Sequence, residues 1–111
     1  MPDWTDIADA DELPAGGRLC TTVEGKGLVV LNVDGTPYAI ANQCPHAGRP
    51  MEDGEVQGLV ITCPFHGYAY NLKNGNNLDH PEFEPPIPTY PVRIEGGKVQ
   101  VKPDAVNDAA E

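Results

Sequence analysis

Two short stretches of the 111-residue chain hold residue types that could bind a transition metal: Cys44-Pro45-His46-Ala47-Gly48 and Cys63-Pro64-Phe65-His66-Gly67. Each offers one thiol and one imidazole in a turn framed by Pro and Gly. Two such turns facing each other would present two sulfur and two nitrogen donors, a set that suits zinc or iron. Three readings of this set stand. The first is a chance grouping of buried thiols and core histidines, which requires the same Cys-Pro, His, Gly order to arise twice. The second is a structural zinc site. Zinc sites commonly pair Cys with Cys and His with His at intervals of two to five residues, whereas here Cys and His alternate, with one residue between Cys44 and His46 and two between Cys63 and His66. The third is a two-iron, two-sulfide cluster with both cysteines on one iron and both histidines on the other.

The mixed ligand set has a charge argument behind it. Four thiolates leave an oxidised two-iron cluster dianionic, while two neutral imidazoles in place of two thiolates make it formally neutral and its reduced form singly negative. An electron enters a neutral centre more readily, which moves the potential from about −400 mV into a span of roughly −150 to +300 mV. Cys44-x-His46, sixteen intervening residues and then Cys63-x-x-His66 matches the Rieske motif. The chain resembles the Rieske family over most of its length, through its strand-rich flanks, the Tyr68-x-x-x-Leu72-x-x-Gly75 stretch and the C-terminal hairpin.

The resemblance implies one [2Fe-2S] cluster bound by Cys44, His46, Cys63 and His66, with the Cys iron deeper and the His iron near the surface. His46 and His66 are then where electrons enter and leave. Gly48 and Gly67 shape the ligand turns, Pro45 and Pro64 stiffen them, and Pro81-Glu82-Phe83-Glu84-Pro85-Pro86-Ile87-Pro88 resembles the proline-rich loop that covers the cluster. In the high-potential members each ligand loop carries a further cysteine, and the two form a disulfide. Arg49 and Phe65 occupy those positions here. Tyr68 stands where those members place a serine that donates to a sulfide, and Tyr70 where they place a tyrosine that donates to a cysteine sulfur. With one donor fewer to the reduced cluster, a low potential is expected, near −150 mV at the bottom of the range.

The large subunits of Rieske oxygenases add a mononuclear iron held by two His and a carboxylate. Only His80 remains once His46 and His66 are committed, and there is neither length for a catalytic domain nor a nucleotide fingerprint. The expected role is that of an electron carrier, not an enzyme: a ferredoxin between a flavin-dependent reductase and a terminal oxygenase. The alternative is a small Rieske-like subunit of an assimilatory nitrite reductase. In that group Asn or Asp often follows the second His, where this chain has Gly67. A redox sensor ranks lower, since no DNA-binding or switch element is visible.

The elements that must position these turns read as strands. Residues 28–33 and 36–41 flank Asp34-Gly35 as a hairpin, with Pro37 at a strand start or edge. Val92 and Ile94 alternate with Arg93 and Glu95, Gly96-Gly97 turns the chain, and Val99 and Val101 alternate with Gln100 and Lys102, predicting a second hairpin with one buried face. Further strands are predicted at 4–7, 19–23, 58–62 and 68–72, with Gly25-Lys26-Gly27 and Asn74-Gly75 as turns. Residues 42–91 hold eight of the twelve prolines and all three histidines, a composition that opposes regular sheet. The expectation is one all-β domain over residues 1–111, a Rieske-type antiparallel sandwich with a small loop-rich cluster-binding subdomain inserted at about 42–91.

Charge narrows the partners. With 17 acidic and 7 basic side chains and a net charge of −10, the surface repels phosphate backbones and anionic lipid, so nucleic acid and membrane are poor partners. Glu52, Asp53 and Glu55 follow the first ligand loop, and Asp79, Glu82 and Glu84 lead into the proline-rich loop. They are either a solvated acidic face or a rim that steers a basic protein. The start, Met1-Pro2-Asp3-Trp4, reads as no signal peptide, and the cytoplasm is the expected compartment. Cys20 is expected to be a buried core thiol, and His80 a solvated loop residue.

Overall fold

The computed structural model describes residues 4–43, 50–64, 67–79 and 86–102. Among them ten strands form three antiparallel sheets. β1 (Thr5–Asp9), β10 (Lys98–Val101) and β9 (Val92–Glu95) make one sheet in the order β1-β10-β9. β2 (Arg18–Val23), β3 (Lys26–Val33), β4 (Thr36–Ala41) and β8 (Thr89–Tyr90) make a central sheet in that order. β5 (Glu55–Gln57), β6 (Val60–Thr62) and β7 (Ala69–Asn71) form a small third sheet. A 3-10 turn at Ala10–Glu12 follows β1, and the Glu12 carboxylate accepts the Asp9 N–H at 3.0 Å.

The central sheet is covered on both faces, which explains the unbroken apolar run in β3. Leu28 and Val30 join Leu13, Val23, Ala39, Val99 and Val101 in a core under the β1-β10-β9 sheet. Val29 and Leu31 point the other way, into a core with Ile40, Met51, Ile61, Cys63, Tyr70, Leu72 and Ile87. Adjacent strand residues face opposite sides, so β3 is a partition between two cores. Burying each such Val, Leu or Ile contributes about 1.5–3 kcal/mol.

The hairpin turns obey local chemistry. Asp34 (φ 53°) and Gly35 (φ 91°) occupy the left-handed region between β3 and β4, the geometry of a type I′ turn. Pro37 lies opposite Asn32 on β3, beyond the stretch where β8 joins β4 at Ala39 and Ile40, so its missing N–H costs no ladder bond. Asn32 is buried yet satisfied: Nδ2 donates to Leu13 O at 2.9 Å, and Oδ1 accepts the Gly35 N–H at 2.7 Å.

Several expectations change. The turn before β3 is Glu24-Gly25, both with positive φ, while Lys26 and Gly27 pair with Val23 and Thr22. The 42–91 region does build sheet, because Pro50, Pro64, Pro86, Pro88 and Pro91 all fall outside its strands. β5 and β8 carry too few apolar residues to show a period. Ile94 is 38% exposed rather than on a buried face, because the sheet edge at β9 leaves it uncovered. Cys20 is exposed on β2, since its neighbours Leu19 and Thr21 take the inward positions.

Candidate metal centre

The second ligand turn starts from the strand β6. Cys63 is 1% exposed and lies in the same core as Tyr70, Ile61 and Met51. Its N–H donates to Tyr68 O at 2.7 Å, and the Gly67 N–H donates back to Cys63 O at 3.0 Å. Gly67 is thus a turn glycine, at φ 74°, with its N–H committed to the main chain. β7 follows at once and pairs with β6, Ile61 opposite Tyr70 and Thr62 opposite Ala69. The Asp79 carboxylate accepts the Ala69 N–H at 2.8 Å, and Leu78 N–H donates to Ala69 O at 2.7 Å. These bonds set the chain entering the proline-rich loop beside the second ligand turn. On its return, Ile87 is buried and donates its N–H to Gly75 O, while Pro88 O accepts the Ala41 N–H.

The first ligand loop departs from the end of β4 and returns at a turn over residues 51–54. Asn42 Oδ1 accepts the N–H groups of Met51 at 2.8 Å and Glu52 at 3.0 Å, and its Nδ2 donates to Glu52 Oε1 at 2.8 Å. Arg18 Nη1 donates to Glu52 O at 2.7 Å and Gly54 O at 2.8 Å. Met51 fills the core beneath. A Cβ at Gly54 would lie 2.7 Å from Thr62 O and 2.9 Å from Ile61 Cγ1, so only glycine lets this turn press against β6. The sequence held no signal for Asn42, Arg18 or Gly54 beyond their place beside the motif.

Cys44, His46, Gly48, Arg49, Phe65, His66, His80, Glu82 and Glu84 lie outside the described residues. Of the four expected ligands the structure therefore places Cys63. Among the described residues no group of three or more His, Cys, Asp or Glu offers a metal site elsewhere. Glu52, Asp53, Glu55 and Asp79 are exposed, with Glu52 and Asp79 bonded at the bases of the two loops. Partial burial of the Cys20 sulfur, then the charge and hydrogen bond of Glu52, push that thiol above its ordinary range, with Arg18 opposing. It is a poor candidate for a metal-bound thiolate.

The family model for the Rieske [2Fe-2S] domain matches residues 3–91, a span that contains both ligand loops and the proline-rich segment. The chain belongs to the Rieske family. Its curated relatives include the ferredoxin component of a naphthalene 1,2-dioxygenase system from Pseudomonas aeruginosa, 40% identical over 98 residues, covering 88% of this chain and 93% of the relative. Another is the ferredoxin component of a 2,4-dinitrotoluene dioxygenase system from Burkholderia sp. (strain RASC), 36% identical over 102 residues, 92% of this chain and 97% of that one. Among solved structures, the ferredoxin of carbazole 1,9a-dioxygenase from Nocardioides aromaticivorans IC177 superposes with a TM-score of 0.83 at 27% identity, covering 93% of this chain and all of that one.

As a Rieske protein the chain carries one [2Fe-2S] cluster, and its residues suit that group. The Cys63 thiol is withdrawn from water, which suits the deeper iron that the resemblance implies. Cys44, His46, Cys63 and His66 are, by residue type and spacing in the sequence, the mixed thiol and imidazole donors that such a cluster takes. The antiparallel sandwich with a small loop-bearing sheet is the Rieske-type fold expected from the sequence.

Proposed function

We propose that this Rieske protein is the ferredoxin of a ring-hydroxylating dioxygenase system, taking single electrons from a flavin-dependent reductase and passing them to a terminal oxygenase. The observation that carries this is the end-to-end match, 93% of the relative's length, to a dioxygenase ferredoxin component. It also favours this reading over a nitrite reductase small subunit. A solved complex of oxygenase and ferredoxin in carbazole 1,9a-dioxygenase has a chain that matches 96% of this one, and 98% of its own length, with a TM-score of 0.85. The role is carriage rather than catalysis, in the cytoplasm, by one domain.

In this reading Cys44 and Cys63 hold one iron and His46 and His66 the other. The cluster supplies a one-electron redox centre when bound. The chain's own contribution is to bury Cys63 in an apolar core, which keeps water from the thiolate side. It also packs the turn that follows the first ligand loop against β6, with Gly54 on Thr62 O one residue before Cys63.

Anaerobic reduction followed by electron paramagnetic resonance tests this directly. The expected result is a rhombic Rieske signal titrating near −150 mV at the low end of the family's range, lost in Cys44→Ser, Cys63→Ser, His46→Ala and His66→Ala. Stopped-flow mixing of the reduced protein with a ring-hydroxylating terminal oxygenase should reoxidise it. Reoxidation by a nitrite reductase large subunit alone, or a midpoint well above zero, would overturn the assignment.

A further inference from the structure

The two ligand loops are closed by different means. Main-chain bonds close the second, Cys63 N–H to Tyr68 O and Gly67 N–H to Cys63 O, and the β6–β7 pairing continues them. The first loop runs from the end of β4 into the 51–54 turn rather than into a strand. Among the described residues, the hydrogen bonds that join its two ends all belong to the Asn42 side chain.

That side chain uses both ends of its amide. Oδ1 receives two main-chain donors, and Nδ2 donates to the Glu52 carboxylate. A carboxamide carries its acceptor and its donors on separate atoms, and so can accept at one end and donate at the other. Asn42 is itself fixed to the central sheet, its N–H donating to Gly27 O at 2.9 Å. The clasped turn is held from two further sides. Arg18 on β2 grips Glu52 O and Gly54 O, and Gly54 presses on Thr62 O, one residue before Cys63. A main-chain path therefore runs from Asn42 through the 51–54 turn to the ligand Cys63.

We propose that Asn42 is a positioning residue for the cluster: by clasping residues 51 and 52 to the end of β4, it holds Cys44 and His46 in register with Cys63. This rests on the ligand assignment proposed above. Asn42 touches neither iron nor sulfide in this role. It acts through the loop whose two ends it joins.

The experiment compares holoproteins for the first-order loss of visible cluster absorbance in the presence of a strong iron chelator, together with melting temperature and the linewidth of the reduced-state resonance signal. Asn42→Ala should lose its cluster at least ten-fold faster than wild type, about 1.4 kcal/mol in the barrier, with a broadened signal. Leu28→Ala, in the far core, should lower the melting temperature while its cluster leaves at close to the wild-type rate. Asn42→Asp keeps the acceptor for both N–H groups but sets a carboxylate against Glu52, and should fall between Asn42→Ala and wild type. Asn42→Asp combined with Glu52→Gln exchanges donor and acceptor across the same pair, and should return to within about three-fold of wild type.

Asn42→Ala losing cluster no faster than Leu28→Ala, or the double variant losing it as fast as Asn42→Ala, would overturn the proposal. If Asn42→Ala fails to accumulate, the double variant set against Asn42→Asp still decides. A Cys44→Ser protein that keeps an unaltered Rieske signal would instead defeat the ligand assignment, a distinct outcome from either of these.

Discussion

Cys63 lies in the apolar core at 1% exposure, whereas Cys20 is exposed on β2 with Glu52, Arg18 and Asp53 around its sulfur. The same functional group therefore meets opposite uses. Partial burial of the sulfur and the Glu52 carboxylate hold the Cys20 proton above the ordinary thiol range, so thiolate, the reactive form, is scarce near neutrality. Alkylation of Cys20 by iodoacetamide at pH 8 should be slower than that of an unstructured cysteine peptide. The folded pKa lies above the unfolded one, so this thiol's contribution to stability is intact below the unfolded value. It is lost as pH climbs through the folded value. Cys20→Ser should abolish that alkaline loss in denaturation curves while leaving cluster absorbance and resonance spectra unchanged. Faster alkylation than the peptide, or a lost cluster, would contradict this account.

The partition role of β3 makes a prediction at the scale of the element. Leu28 and Leu31 are both buried on one strand, but Leu28 belongs to the core under the β1-β10-β9 sheet and Leu31 to the core that contains Cys63. Either Leu→Ala change should cost about 2–5 kcal/mol by chemical denaturation. Only Leu31→Ala should also speed cluster loss to a chelator, because only its cavity opens toward Cys63. Equal cluster loss in both variants would show that the two cores are not separate. The strand itself was legible, since an apolar run ending at Asp34-Gly35 admits few other readings, and so was the family, because the Cys-x-His and Cys-x-x-His spacing carries it. β5 was not, because Glu55-Val56-Gln57 offers one apolar residue and no period. Nor were Asn42 and Arg18. Their roles come from bonds that span sequence gaps of ten and more than thirty residues, which no local pattern encodes.

At the scale of the molecule the net charge of −10 is unevenly placed. On the β1-β10-β9 sheet and its border, Arg93, Lys98 and Lys102 partly offset Asp6, Asp9, Asp11, Glu12 and Glu95. Lys98 pairs with Asp9, whose hydrogen bond and charge raise the ammonium pKa, and Arg93 and Lys102 stack over Trp4 at 4.3 and 5.0 Å. On the opposite side of the central sheet, Glu52, Asp53, Glu55 and Asp79 are all exposed around the bases of the ligand loops, and the Arg18 guanidinium beside them donates to main-chain carbonyls. An acidic face at the loop bases would orient the cluster end toward a basic partner surface and raise the encounter rate. Such steering is screened over about 10 Å at 0.1 M salt. With the flavin-dependent reductase proposed above as partner, the second-order rate constant for electron transfer should therefore fall several-fold between low and moderate ionic strength. Asp53→Asn combined with Glu55→Gln should flatten that dependence without altering the resonance spectrum, because neither side chain belongs to the Asn42 clasp. A rate constant indifferent to salt in the wild-type protein would mean that the acidic face serves solubility alone, and that recognition rests on the shape of the ligand loops.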